Sequence, residues 1–204
     1  MDNGNGAATS AAPLSARTLA RFAIDSRRSK FTVQAFATGI LAAMGHNPAI
    51  GIRNFSGEVE FDPGLLAAAG FHLTIQSASL EVLDDVSDKD RREMERVMKN
   101  DVLEVSRYPQ ITYEASTVAL TRLDASLYSA SLSGSLAFHG VTRNQSVTAR
   151  IIDSGEMLRA SGDFVLRQSD FQIKPVSVAG GALKLKDELK FAFEIIARRQ
   201  DLPA

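Results

Sequence analysis

The chain has 204 residues, 45% of them hydrophobic, and a formal net charge of −1. That length supports one well-buried core or at most two small ones. The near-neutral charge leaves out the strongly basic footprint of a nucleic-acid-binding domain, and a chain without cysteine has no disulfide, thiolate metal site or cysteine nucleophile.

Residues 1–20 are rich in Ala, Ser, Gly and Asn and lack the basic and apolar regions of a signal peptide, so they are expected to be a disordered leader. The folded part is expected over 21–198, with a short tail at 199–204. No apolar run approaches the ~20 residues a membrane-spanning helix needs. The sequence as it stands reads as soluble and cytoplasmic, or periplasmic if a signal peptide was removed.

Phe22 to Ala37 reads as a first strand, with Phe31, Val33 and Ala35 opposed to Thr32 and Gln34 and a bulge or short turn at residues 27–30. Residues 38–48 break the alternation and read as a loop or helical turn. Ile50 to Phe61 is strand again, with Phe55, Val59 and Phe61 on one face, stopped by the turn residues Asp62, Pro63 and Gly64. Phe71, Leu73 and Ile75 then alternate with His72, Thr74 and Gln76. Ser87 and Asp90 have capping-box spacing ahead of Met94, Val97 and Met98, which recur at helical intervals. That predicts one short amphipathic helix, whose methionine stripe either gates an opening or simply docks.

Strands resume at Ile111 to Leu120. The clearest segment follows: from Tyr128 to Phe138 apolar and small residues alternate with serines. The chain turns at residues 140–144 and returns with Val147, Ala149 and Ile151 on one face. Leu158 to Leu166 and Leu189 to Ile196 complete about eight strands with no βαβ rhythm. Eight antiparallel strands suffice to close a barrel with room for one small ligand. A β-sandwich has the same alternation, and periodicity alone does not choose between them.

Several stretches together resemble the YceI family of lipid-binding proteins. Phe22, Ile24 and Asp25 followed by Ser29, Phe31 and Val33 are similar to that family's opening strand. Phe55, Gly57, Val59, Phe61 and Asp62 are similar to its second. Tyr108, Pro109, Ile111 and Tyr113 resemble the segment after its helix, Gly134 to Arg143 its hairpin, and Arg167, Ser169, Asp170, Phe171 and Ile173 its late loop. The resemblance runs from about Phe22 to Ala197. It implies an all-β fold with one short helix: an eight-stranded antiparallel, lipocalin-like β-barrel with an apolar central channel that binds polyisoprenoid or similar lipid chains. The chain departs from the family in having no tryptophan where Phe22 stands and no histidines where Arg28 and Phe36 fall. It also carries a longer insertion over 38–48 that includes His46.

The residues expected to line the channel are Phe31, Val33, Phe55, Val59, Phe61, Leu73, Ile75, Tyr113, Leu132, Leu136, Phe138, Val147, Phe164, Phe191 and Phe193. Met94 and Met98 are added from the helix, and His46 as a head-group contact. Burying a saturated chain contributes ~0.8 kcal/mol per CH₂, so such a tail needs no polar anchor. Small residues at alternating positions (Ala35, Gly57, Ala130, Gly134, Ala149 and Gly162) argue for unfilled space inside. Arg143 and Arg167, beside turn and loop, could meet a phosphate or carboxylate head group or only solvate strand ends.

The histidines His46, His72 and His139 have no metal-ligand spacing. No nucleophile elbow or phosphate-binding glycine loop is present, and no cofactor is expected. The sequence therefore reads as a non-enzymatic protein that binds, stores or transports a long-chain apolar ligand: a polyisoprenoid, isoprenoid quinone, fatty acid or fatty amide. Its partners would be that isoprenoid or acyl chain, a membrane touched transiently, a second copy in a homodimer, and no nucleic acid. The alternatives are a barrel enzyme acting on a lipid-like substrate through His46 or His139, and a ligand-free interaction module.

Overall fold

The computed structural model describes residues 20–39, 47–61, 70–178 and 183–200, so nearly all of the expected leader, part of the 38–48 segment and the last residues of the tail lie outside them. Eight antiparallel strands close a barrel. In spatial order they are β1 (Ala20–Ile24), β5 (Phe55–Phe61), β6 (Gly70–Gln76), β8 (Gln110–Arg122), β9 (Leu127–Phe138), β10 (Val141–Asp153), β11 (Met157–Arg167) and β14 (Glu188–Arg199), which pairs back onto β1. β1 and β14 each run one residue beyond the expected limits of 21 and 198. Alternation decides which side chains face inward: on β9, Tyr128, Ala130, Gly134, Leu136 and Phe138 are buried while Ser131, Ser133 and Ser135 are exposed.

The closing strand β14 is long enough to take two neighbours in succession. Its residues 190–194 pair with β2 (Lys30–Gln34), and Ala197 to Arg199 pair with β1. The interruption expected at residues 27–30 is the turn that separates β1 from β2. Ser29 fastens it, because its hydroxyl donates to the carbonyl of Asp25 at 2.8 Å and accepts the Ile196 N–H at 2.9 Å.

The single strand expected from Ile50 to Phe61 is two, β4 (Ala49–Ile52) and β5, bent apart at Arg53 and Asn54. β4 pairs with β2 and with β7 (Leu80–Val82), a short edge strand. A free edge exposes unpaired backbone groups, and here the helix α1 (Asp88–Arg96) covers it. The Glu95 carboxylate accepts the Val82 N–H at 3.1 Å, and the Arg91 guanidinium donates to the carbonyls of Val82 and Asp84. Ser87 caps α1 by accepting the Asp90 N–H at 3.1 Å, and its hydroxyl donates to the Asp90 carboxylate at 2.7 Å, so the capping residues are those the spacing predicts. A wider, π-helical turn (Val97–Val102) follows. A small second sheet joins β12 (Ser177–Val178), β13 (Leu183–Leu185) and β3 (Ala37–Thr38).

The β9–β10 turn is tighter than expected. It contains only His139 and Gly140, at φ 50° and 75°, and Thr142 to Asn144 already belong to β10. Positive φ at both central residues gives the turn whose twist matches the flanking strands. The glycines within strands also have a different cause from the one expected. A Cβ on Gly134 would fall 2.3 Å from the Glu114 carbonyl oxygen, and one on Gly162 would fall 2.4 Å from that of Thr148. These glycines let neighbouring strands approach closely where the wall coils. The internal space is left instead by Ala35, Ala130 and Ala149, which are buried and face it.

The edge contact is testable. Arg91→Ala removes a charged donor from two backbone carbonyls and is expected to cost ~1–3 kcal/mol of stability, read as a lower urea midpoint. A midpoint equal to the wild type would mean that the helix is not held on β7 through this guanidinium.

Candidate functional site

Inside the barrel lies a cavity of about 580 Å³. It runs from the end where β1, β8 and β14 meet, lined by Leu120, Ala130 and Ala197, to the end covered by α1 and the β3–β13 sheet, lined by Met94, Ala37 and Leu185. Its wall is almost wholly apolar. The polar exceptions are Glu93, Thr112, Tyr113, Gln145, Gln168 and Lys184.

Of the residues expected to line a channel, the structure brings nearly all to this wall. Phe31 and Val33 reach it from β2, Val59 from β5, Leu73 and Ile75 from β6, and Tyr113 from β8. Leu132, Leu136 and Phe138 on β9 face Val147 on β10, with Phe164 on β11 and Phe191 and Phe193 on β14. Met94 and Met98 line it from the helix and the turn after it. Phe55 does not. It is buried among the same core residues, its ring edge-on to Phe31 at 5.0 Å, and does not reach the cavity surface. The side chain of Phe61 and the whole of His46 lie outside the described residues.

Several lining residues carry no mark in the sequence. Leu80 and Val82 sit on a three-residue strand too short to announce itself, Lys184 and Leu185 come from β13 of the small second sheet, and Val176 just precedes β12. Ile50 and Ile52 alternate on β4, a signal that was present but hidden by the bend before β5.

The polar groups deep in the wall are engaged within the protein. The Tyr113 hydroxyl donates across β9 to the carbonyl of Gln145 at 2.9 Å. The Gln145 amide donates to the Ser146 carbonyl, and the buried Gln168 donates to that of Lys186, each at 2.9 Å. Burial pushes the Tyr113 phenol up to about 12 from its usual 10. At the helix end, hydrogen bonds from Arg96 hold the exposed Glu93 carboxyl below the usual carboxylate range.

Neither described histidine lines the cavity. His72 is exposed on the outside of β6, between the Thr74 hydroxyl at 3.0 Å and the Glu114 carboxylate at 3.3 Å. His139 is packed in its turn against the Tyr108 ring, with Nε2 at 3.1 Å from the Glu104 carboxylate and Nδ1 at 3.2 Å from the Phe171 carbonyl. Among the described residues no cluster of His, Asp and Glu could hold a metal ion, and no helix is long and apolar enough to cross a membrane.

The YceI-like domain family matches residues 22–197, so the chain belongs to that family. No curated protein matches it. Solved structures share its fold. The Burkholderia cenocepacia protein BcnA superposes with a TM-score of 0.63 at 22% identity, covering 85% of this chain and 98% of its own. A polyisoprenoid-binding domain from Saccharophagus degradans, implicated in plant cell wall breakdown, gives 0.65 at 13% identity, covering 89% and 99%. A Campylobacter jejuni YceI protein gives 0.53 at 16% identity, covering 78% and 88%.

The buried phenol makes stability depend on pH in a stated direction. The folded state holds the Tyr113 proton more tightly, so its contribution is complete below pH 10 and is lost as the pH climbs toward 12. The stability of the wild type relative to Tyr113→Phe should therefore fall across that window in urea titrations. A difference that stays constant would mean that the phenol ionises alike in both states.

Proposed function

We propose that this member of the YceI-like family is a non-enzymatic carrier or sequestering protein for one long-chain apolar molecule: a polyisoprenoid, isoprenoid quinone, fatty acid or fatty amide. The observation that carries the reading is the cavity of about 580 Å³ with its nearly unbroken apolar wall. At roughly 24 cal/mol per Å³, leaving such a void empty would cost on the order of 10 kcal/mol, as much as a typical domain's whole stability. Water fills it poorly, since a stable internal water needs two to four polar partners and the deep polar groups are already engaged. A chain of methylenes or isoprene units meets the wall on its own terms.

The similarity in fold to the Saccharophagus polyisoprenoid-binding domain supports the same class of ligand. In this reading Phe31, Val33, Val59, Leu73, Ile75, Met94, Met98, Tyr113, Leu132, Leu136, Phe138, Val147, Phe164, Phe191 and Phe193 are the contacts to the chain. Selectivity comes from the length and width of the lumen. The reading includes brief contact with a membrane, from which so insoluble a chain would be drawn, and a homodimer. Acid–base catalysis by a histidine would place an imidazole within reach of the bound chain, whereas His72 and His139 both point elsewhere.

Two measurements test it. Native mass spectrometry of the purified protein, followed by organic extraction, should find a hydrophobic molecule at near one per chain. Protein that arrives empty and also takes up no isoprenoid or fatty amide would sink the reading. Leu132 packs against the core residues around Phe31 and Leu73 and also against those around Leu120 and Ala130, and so stands midway along the lumen. Leu132→Trp, with its fold checked by circular dichroism, should weaken binding of a long chain by about tenfold or more, ~1.4 kcal/mol. Unchanged affinity would place the chain somewhere other than the lumen.

A further inference from the structure

The ladder between β10 and β11 covers only part of these two long strands. β10 pairs with β9 along its length from Val141 to Ile152, and β11 pairs with β14 from Met157 to Arg167. β10 and β11, however, pair with each other only where residues 150–153 meet residues 158–161. Beyond that short ladder the strands still touch at Thr148 and Gly162 and part only toward residues 143–145 and 165–167. Between them opens a second pocket, of about 450 Å³ and mostly polar. Arg143, Asn144 and Gln145 form one bank, Val165, Leu166 and Arg167 the other, and Asp170 and Phe171 complete it.

Gln145 and Leu166 line both this pocket and the central cavity, so these two side chains form the partition between them. Arg143 donates through Nε to the Asp170 carbonyl at 3.2 Å, and among the described residues no carboxylate lies within ion-pair distance of it. Arg167 meets Glu188 at 3.4 Å, but both side chains are more than half exposed, and such a pair contributes little and exchanges readily. The charges lining the pocket are two guanidinium groups and the single carboxylate of Asp170. Val165, 51% exposed, adds an apolar lip.

We infer that this pocket is the head-group site of the cavity's ligand: an anionic head group, phosphate or carboxylate, sits between Arg143 and Arg167 while its chain passes between Gln145 and Leu166 into the lumen. The inference rests on the carrier reading above and narrows it to amphiphilic acids. Guanidinium forks match either anion through paired, charge-assisted hydrogen bonds. Deep in the lumen the Tyr113 hydroxyl and the Gln168 amide are already bonded to main-chain carbonyls and offer such a head group little.

Competition between farnesol and farnesyl monophosphate for the wild-type protein, read by native mass spectrometry, tests this, and palmitate against 1-hexadecanol does so for the carboxylate. The wild type should prefer at least one of the anions over its alcohol by about tenfold or more, and added salt should reduce the preference. The double variant Arg143→Ala/Arg167→Ala should lose the preference while binding the alcohol as before, which also shows that it is folded. A wild type that takes both alcohols without preferring either anion overturns the head-group site and leaves the carrier reading standing. So does a preference that survives in the double variant. A wild type that takes none of the four compounds overturns both.

Discussion

Backbone hydrogen bonding around a closed ring of eight strands is the constraint on which the rest of the molecule depends. Once β14 pairs with β1, each strand has a neighbour on either side, and every second side chain must face the lumen. The apolar cavity is a direct consequence of that ring acting on sequences that alternate. The wall is apolar because the inward set on β9, Tyr128 to Phe138, is apolar or small while the outward set is mostly serine.

The ring is not uniform, and the irregularities are where the barrel acquires its particular shape. At β14 the turn between β1 and β2 allows one strand to bridge two, with the Ser29 hydroxyl substituting for a ladder bond. At β7 the short edge has no strand beyond it, and side chains of α1 satisfy its backbone instead. The docked helix then contributes Met94 to the wall, so closing an edge and lining a lumen are one act. Between β10 and β11 the ladder covers four paired positions, and the 3₁₀ turn Gln168–Phe171 packs against β10 beside the gap.

Those features also separate inert from reactive chemistry. Tyr113 and Gln168, two of the polar groups inside, are bonded to main-chain carbonyls. The described histidines are spent in a turn and on the outer surface. In the proposed carrier role, such a lumen discriminates by shape and by the free energy of burying methylene groups. The proposed head-group site puts charge recognition at its boundary, where guanidinium groups keep their charge at little desolvation cost.

Much of this was legible in the sequence. Period-two alternation is a local property, so strands β6, β8, β9, β10, β11 and β14 and the inward identity of their residues follow from the residues themselves. The helix start follows from Ser87 and Asp90 in the same way. Family resemblance added ring closure, which alternation leaves open between barrel and sandwich. The tertiary structure alone decided the rest. Phe55 shares the alternation of Val59, yet it packs edge-on against Phe31 and does not reach the cavity surface. Gly134 and Gly162 look like room inside but are the consequence of strands touching. Leu80, Val82 and Lys184 line the cavity from strands that exist only because long-range partners hold them. Pattern records which face a residue prefers. Which strands pair, how far, and where the pairing ends depend on contacts between residues far apart in sequence, and no local periodicity encodes those.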